Sequence, residues 1–179
     1  MGAAGDGPGF FAVVRTRHSV RAFADRPVAP EMLRRILDTA NRAPSAGNRQ
    51  AYAIYAVMKR SVREALARAA FDQAFVAQAP VVLVFCAHPA RSARRYGERG
   101  RTLYCIQDAT IACAHAQLAA TALGLATVWV GAFDEEAVRQ ALDAPPDLRP
   151  VAILPVGYPA EEPEITGRRT LEDLVRDIR

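Results

Sequence analysis

Apolar positions along this chain follow two periods, one helical and one of strand type, and switch between them repeatedly. The cluster Phe10 to Thr16 predicts a short helix. Pro30 opens a second helical stretch, with Glu31 in its first turn and Leu33, Ile36, Leu37 and Ala40 on one face. Asn41 to Gln50 breaks the period with Pro44, Ser45, Gly47 and Asn48, and reads as a polar loop. Tyr52 to Met58 alternates and contains β-branched residues, which predicts a strand. Ser61 predicts the cap of a helix running to about Ala70, with Glu64 as its capping-box partner. Val81 to Ala87 is apolar at every position, as expected of a central strand covered on both faces.

The second half continues the alternation. Arg91 to Arg101 is rich in arginine and predicts an exposed loop or irregular helix. Thr102 to Leu123 predicts a long, almost wholly apolar helix, interrupted by Gln107, Asp108, His115 and Gln117 and ended by Gly124 in the C′ position. A strand at Thr127 to Val130, a helix at Glu135 to Leu142 capped by Asp134, a strand at Val151 to Val156 and a short amphipathic helix at Leu171 to Ile178 complete the order. Such alternation over 179 residues predicts a layered α+β or α/β architecture. The glycine-rich opening reads as a flexible tail over residues 1–9, followed by a single domain over 10–179. A long helix that is apolar nearly all round must be covered on more than one face. Either one subunit surrounds it, or a second copy covers the remaining side.

Composition narrows the class. Hydrophobic residues at 51%, charged residues at 23% and aromatics at 7% are values of ordinary globular domains, and exclude a disordered chain, a collagen-like fibre and a disulfide scaffold. The longest apolar run, Ala79 to Ala87, is about half a membrane span. The opening residues lack the basic and apolar regions of a secretory leader, and Asp6 breaks the myristoylation pattern, so a cytoplasmic protein is expected. Lys59 is the one lysine among 23 cationic residues. The net charge of +4 comes with 19 acids spread along the chain, unlike a nucleic-acid stripe or a polybasic anchor. Cys86, Cys105 and Cys113 form no C-x-x-C and read as small buried hydrophobes. His18, His88 and His115 have no metal-ligand spacing with them, so no metal site is expected.

Four segments carry candidate chemistry. In an extended Arg17-His-Ser-Val-Arg21, residues 17, 19 and 21 point one way, so two guanidiniums and a hydroxyl converge. That set suits a phosphate, and equally describes a solvated basic segment. Pro44 to Gln50 offers neutral donors and acceptors that can read a planar, uracil-like edge, or simply ends the preceding helix. Val128-Trp-Val-Gly-Ala-Phe133 is a strand end whose small residues let backbone N–H groups approach a ligand, or an ordinary turn before Asp134. Gly167-Arg-Arg169 is a second phosphate clamp or a basic surface turn.

Together these segments resemble one family. Arg-His-Ser-Val-Arg-x-Phe at 17–23, Ala-Pro-Ser-x-x-Asn-x-Gln at 43–50, Ala-Pro-Val-Val-Leu-Val at 79–84, Gly-Leu-x-x-x-Trp-Val-Gly-Ala-Phe at 124–133 and Leu-Pro-Val-Gly-Tyr-Pro at 154–159 recur in that order in the FMN-dependent nitroreductases. The segment Arg95 to Tyr104 is similar to the short-chain branch of that family. The resemblance implies a three-layer α/β/α fold around a mostly antiparallel sheet, and a homodimer with FMN at its interface. It implies that Arg17, Ser19 and Arg21 hold the FMN phosphate, ribityl chain and pyrimidine edge, with His18 beside them, and that Arg168 and Arg169 join at the phosphate. Pro44, Ser45, Ala46 and Asn48 of the partner would line the isoalloxazine. Gly131 would place a backbone N–H near flavin N5, with Val130 and Ala132 alongside and Gln73 as a polar contact. Where the family often has Pro-Trp, this chain has Ala51-Tyr52, a difference on the substrate side. The implied activity is hydride transfer from NAD(P)H through the flavin to a nitroaromatic, quinone or similar acceptor, with no catalytic side chain required. Flavin fragmentation, dehalogenation and non-enzymatic flavin binding are the alternatives in the same fold.

Overall fold

A computed structural model describes residues 9–178, so the tail expected over residues 1–9 falls, except for Gly9, outside the described residues. Helix α1 (Phe10–Thr16) leads into an extended segment and then helix α2 (Pro30–Asn41), which starts with Pro30 in its first turn and buries Ile36 and Ala40. Strand β1 (Tyr52–Val57) is followed by α3 (Arg60–Ala69), α4 (Phe75–Gln78) and β2 (Val81–Ala87). Helices α5 (Pro89–Arg99) and α6 (Cys105–Ala122), strand β3 (Ala126–Thr127), α7 (Glu135–Ala141), β4 (Arg149–Gly157) and α8 (Leu171–Leu174) follow.

The sheet runs β1-β2-β4-β3, and all three ladders are antiparallel. Alternation within β2 explains the layers. Val82, Val84 and Cys86 face a core that includes Leu66 of α3, Val76 of α4 and Val138 of α7. Val81, Leu83 and Phe85 face the opposite core, with Ile36 of α2 and Ala112, Cys113 and Ala116 of α6. Helices therefore cover both faces of an antiparallel sheet, the three-layer α+β arrangement. Each large apolar side chain taken fully from water into these cores contributes about 1.5–3 kcal/mol. The three thiols are buried, and burial pushes that of Cys86 up to about 12, which keeps it an inert neutral filler.

Three local expectations need correction. Helix α3 starts one residue before Ser61, with Lys59 as its N-cap and no capping side chain; Glu64 pairs instead with Arg60 Nε at 2.9 Å. The segment 91–101 takes the second of its two expected forms, an irregular helix: Pro89 and His88 start α5, and it kinks at Gly97, where φ is +55°. A π-helical turn over Gly100–Tyr104 then joins it to α6. The strand expected over 127–130 stops at Thr127 and resumes as a single bridge from Val130 to Ile153. The last helix ends at Leu174 because Val175 is extended, well short of Ile178. The C′ glycine is as expected, since Gly124 has φ of +73° after α6. Helix α6 buries Cys105, Ala109, Ala112, Cys113, Ala116 and Ala120, while Ile111 on its far side is 36% exposed.

Candidate functional site

The chain between α1 and α2 is extended, and it is fastened to the sheet through its backbone. Ser19 forms a parallel bridge with Thr127 of β3, and Val20 N donates to Thr127 O at 3.1 Å. Further along, Ala24 N donates to Tyr158 O and Ala160 N donates to Ala22 O, both at 2.9 Å. Val20, 4% exposed, points into the core, so Ser19 and Arg21 on either side of it face away. The Glu161 carboxylate accepts from the backbone N–H groups of Arg21 and, at 3.2 Å, Ala22. The guanidiniums of Arg17 and Arg21 have no hydrogen bond or ion pair among the described residues. Thr127 Oγ1, beside them, is buried without a partner. Two guanidiniums without ion pairs, on an extended segment tied to the sheet by backbone bonds, form a donor set suited to a phosphate.

Beyond β3 the chain turns through Val130, Gly131 and Ala132. Val130 is locked by reciprocal backbone bonds with Ile153 at 2.9 and 3.0 Å. Gly131 and Ala132 are exposed, and among the described residues their N–H groups have no acceptor. Gln73 Nε2 donates to Ala132 O at 3.3 Å and to Ala70 O at 2.8 Å, which places the residue expected before the central strand directly against this turn. The link before Gln73 is strained: Phe71 and Asp72 have φ of +57° and +60°, and Phe71 is 68% exposed. Left-handed backbone at an aromatic residue costs about 1–3 kcal/mol and persists only where the surroundings enforce it. Asp134, the N-cap of α7, donates its N–H to Ala69 O and so ties the far end of the turn to α3.

The loop Pro44–Gln50 lies elsewhere. It leads into β1, at the sheet edge opposite β3, four strand spacings or about 19 Å across the sheet from the Ser19 segment that bridges β3. Its anchor is Asp108, a 2% exposed carboxylate of α6 that accepts from Ala46 N at 2.9 Å and Ala51 N at 3.3 Å. Ser45 Oγ accepts from Gln50 N at 3.0 Å, and Gln50 Nε2 donates to Asn48 Oδ1 at 2.8 Å. Helix α5 closes on the loop from outside. Arg91 Nε donates to Arg49 O at 2.6 Å, and a Cβ at Gly47, where φ is +51°, would collide with Tyr96 Oη. Desolvation, and next the nearby Asp108 charge, push the Tyr52 hydroxyl pKa up.

The chain thus places Arg17, His18, Ser19 and Arg21, with Val130, Gly131, Ala132 and Gln73, along the β3 side. It leaves Pro44, Ser45, Ala46 and Asn48 at the other edge. Arg168 donates to Thr166 and Gly167, and Arg169 to Asp173 O, so both guanidiniums engage their own exposed segment and not the Arg17–Arg21 strand. Asp108, Glu161 and the Tyr96–Gly47 contact are what the sequence reading overlooked. A lone carboxylate in an otherwise apolar helix was the available signal for the first.

The sequence pattern of the family described as "Nitroreductase family" matches residues 14–77 and 68–158. The chain belongs to the nitroreductase family. It is 34% identical over 186 aligned residues to the "NADH dehydrogenase" of Thermus thermophilus, an alignment that covers 89% of this chain and 91% of that one. It is 30% identical over 166 residues to the "Oxygen-insensitive NADPH nitroreductase" of Salmonella typhimurium, covering 89% and 69%. Among solved structures, the "NADPH:FMN oxidoreductase" of Vibrio harveyi, complexed with NAD+, superposes with a TM-score of 0.87 at 25% identity, over 96% of this chain and 78% of that one. This nitroreductase-family chain shares the helix-covered antiparallel sheet of that structure. Among its described residues, no helix is long and apolar enough to cross a membrane.

Proposed function

We propose that this protein is an FMN-dependent oxidoreductase that passes hydride from NAD(P)H to an electron-poor acceptor, a nitroaromatic, a quinone or a similar compound, in two alternating half-reactions at one site. The observation that carries the reading is the β3-side cluster: unpartnered Arg17 and Arg21 on a rigid strand, beside a turn whose Gly131 and Ala132 N–H groups lack acceptors. This donor set fits FMN, which needs cations for its phosphate, a donor near N5 and a positive charge by its pyrimidine edge.

FMN held by these residues would supply the two-electron chemistry. The residues do the rest. Arg17 and Ser19 hold the phosphate and ribityl chain, with His18 beside them. Arg21 places a fixed positive charge at the N1–C2 edge, where negative charge develops on reduction. The Gly131 N–H would be the donor near N5, and Gln73 holds the turn in place through Ala132 O, with Val130 locked behind it. The loop Pro44–Asn48 of a second copy lines the isoalloxazine, because in its own protomer it starts at the far sheet edge. That reading makes the protein a homodimer with shared sites, and the open side of α6 around Ile111 is the apolar surface such a partner would cover. Arg168 and Arg169 reach a phosphate only if their exposed segment moves onto the site when the dimer forms.

The test is optical. The purified protein should be yellow, and anaerobic NADPH should bleach it, with the colour restored by a nitroaromatic or quinone. A colourless protein that takes up no added FMN overturns the reading; a yellow protein that no nicotinamide donor bleaches reduces it to flavin binding.

A further inference from the structure

Helix α5 carries a run of arginines that the hydride-transfer site does not use. Its exposed side carries Arg91, Arg94 and Arg95 at positions i, i+3 and i+4, so their side chains share one stripe. Arg99 and Arg101 follow. The single acid of this stretch, Glu98, is taken by Arg101 at 3.6 Å. Arg99 is held by Tyr104, donating through Nε to its hydroxyl at 3.0 Å, and Arg91 is held by Arg49 O. Arg94 has no ion pair or hydrogen bond among the described residues, and Arg95 meets only the Tyr96 ring, 5.5 Å from its centroid, and the backbone at Gly47. The guanidinium carbon and Nη1 of Arg95 lie 3.3 Å from where a Gly47 Cβ would stand. Arg49 Nε, in the same loop, is buried without a partner.

This positive stripe is therefore not a remote solvated face. It rests on the loop that the proposed function places over the flavin, and the close fit of Tyr96 on Gly47 fixes its distance from that loop. A dinucleotide whose nicotinamide lies on the flavin must lead its adenosine end outward past this rim. A 2′-phosphate at that end would meet two guanidiniums that no carboxylate neutralises. We propose that Arg94 and Arg95 form a phosphate subsite for the adenosine end of the nicotinamide donor, and that this subsite selects NADPH over NADH. The inference rests on the proposed function, because it takes the loop Pro44–Gln50 as part of the flavin site.

Two readouts test it on the full-length protein. In calorimetric titration, adenosine 2′,5′-bisphosphate should bind about tenfold or more tightly than 5′-AMP, since phosphate–guanidinium contacts are charge-assisted. Arg94→Ala/Arg95→Ala should erase that difference, whereas Arg60→Ala, which removes one charge on α3, should keep it. In steady-state kinetics the ratio of kcat/KM for NADPH to that for NADH should fall by a similar factor in the double variant. Equal affinity for the two nucleotides in the unaltered protein overturns the proposal, as does equal loss in the Arg60→Ala control. Competition by inorganic phosphate as strong as by the bisphosphate, or tighter binding of a short DNA duplex, overturns it too, by assigning the stripe to anions in general or to nucleic acid. A protein without flavin that still discriminates the two nucleotides would refute the proposed function and leave this subsite standing. Flavin reduced equally well by NADH and NADPH would do the reverse.

Discussion

The two halves of the candidate site are held by different means. The extended segment of residues 17–24 is fixed by backbone: Val20 bonds to Thr127, Ala24 to Tyr158 and Ala22 to Ala160, and almost any side chains would permit these bonds. The Pro44–Gln50 loop has no sheet neighbour. It is held by single side chains, with Asp108 beneath it, Arg91 beside it and Tyr96 packed where Gly47 leaves room. A strand-borne half can vary its side chains for chemistry without losing its place. A side-chain-borne half concentrates its stability in few residues and is fragile at each of them.

The largest effect should follow from removing the buried anchor. Asp108→Ala leaves the N–H groups of Ala46 and Ala51 without acceptors in a site from which water is largely excluded, and each orphaned donor costs about 1–3 kcal/mol. A loss of roughly 2–5 kcal/mol in denaturant unfolding is expected, accompanied by weaker FMN binding. Asp108→Asn keeps one acceptor oxygen and should fall between. Flavin affinity unchanged in a destabilised Asp108→Ala protein would show that the loop does not serve the cofactor.

Next in size is a test of whether the halves meet across two subunits. Arg21→Ala removes a charge-assisted partner, and a loss of about 1.5–3 kcal/mol in FMN binding is expected. Asn48→Ala should weaken binding through the loop. In heterodimers of the two variants, one site would carry both lesions and the other neither, so about one tight flavin per dimer should reappear. If each subunit builds its own site, each carries one lesion and no tight site returns. Flavin stoichiometry of purified heterodimers separates the two outcomes.

The same contrast explains what could be read from the chain. Val81 to Ala87 announced a strand buried on both faces because every position faces a helix layer, and it is buried throughout. Gly124 and Asp134 announced helix ends because their roles are local. Ser61 carried the same local signal, yet the helix starts at Arg60, and Glu64 pairs with that residue instead of capping. The Arg17–Arg21 and Val130–Ala132 segments were legible as motifs, since extended backbone fixes which residues share a side. Asp108 was visible only as a break in an apolar helix, because its partners lie 57 and 62 residues away. Helix α5 was legible only as one of two forms, because the solvated face of its arginines gives the pattern of a loop while the buried Ser92 packs inward. Contacts that depend on distant chain segments leave little trace in local periodicity.

The smallest effect should come from the one side chain that supports the strand-borne half. Glu161 accepts from Arg21 N and Ala22 N, which resembles the service Asp108 gives the loop. The surroundings differ. Glu161 and Arg21 are exposed, so in Glu161→Ala water can replace the carboxylate at the freed N–H groups. The backbone bonds from Val20, Ala24 and Ala160 remain and keep the strand in register. A loss of about 0.5–1 kcal/mol in unfolding is expected, with FMN affinity lowered less than about threefold. The carboxylate also stands near Arg21, so its removal takes away a negative charge beside the pyrimidine edge that Arg21 serves, and this works against any loss of affinity. Denaturant titration and FMN titration of the same variant read both quantities. A tenfold fall in FMN affinity would mean that Glu161 sets the orientation of Arg21 through its backbone, and that the strand-borne half depends on a single side chain as much as the loop does.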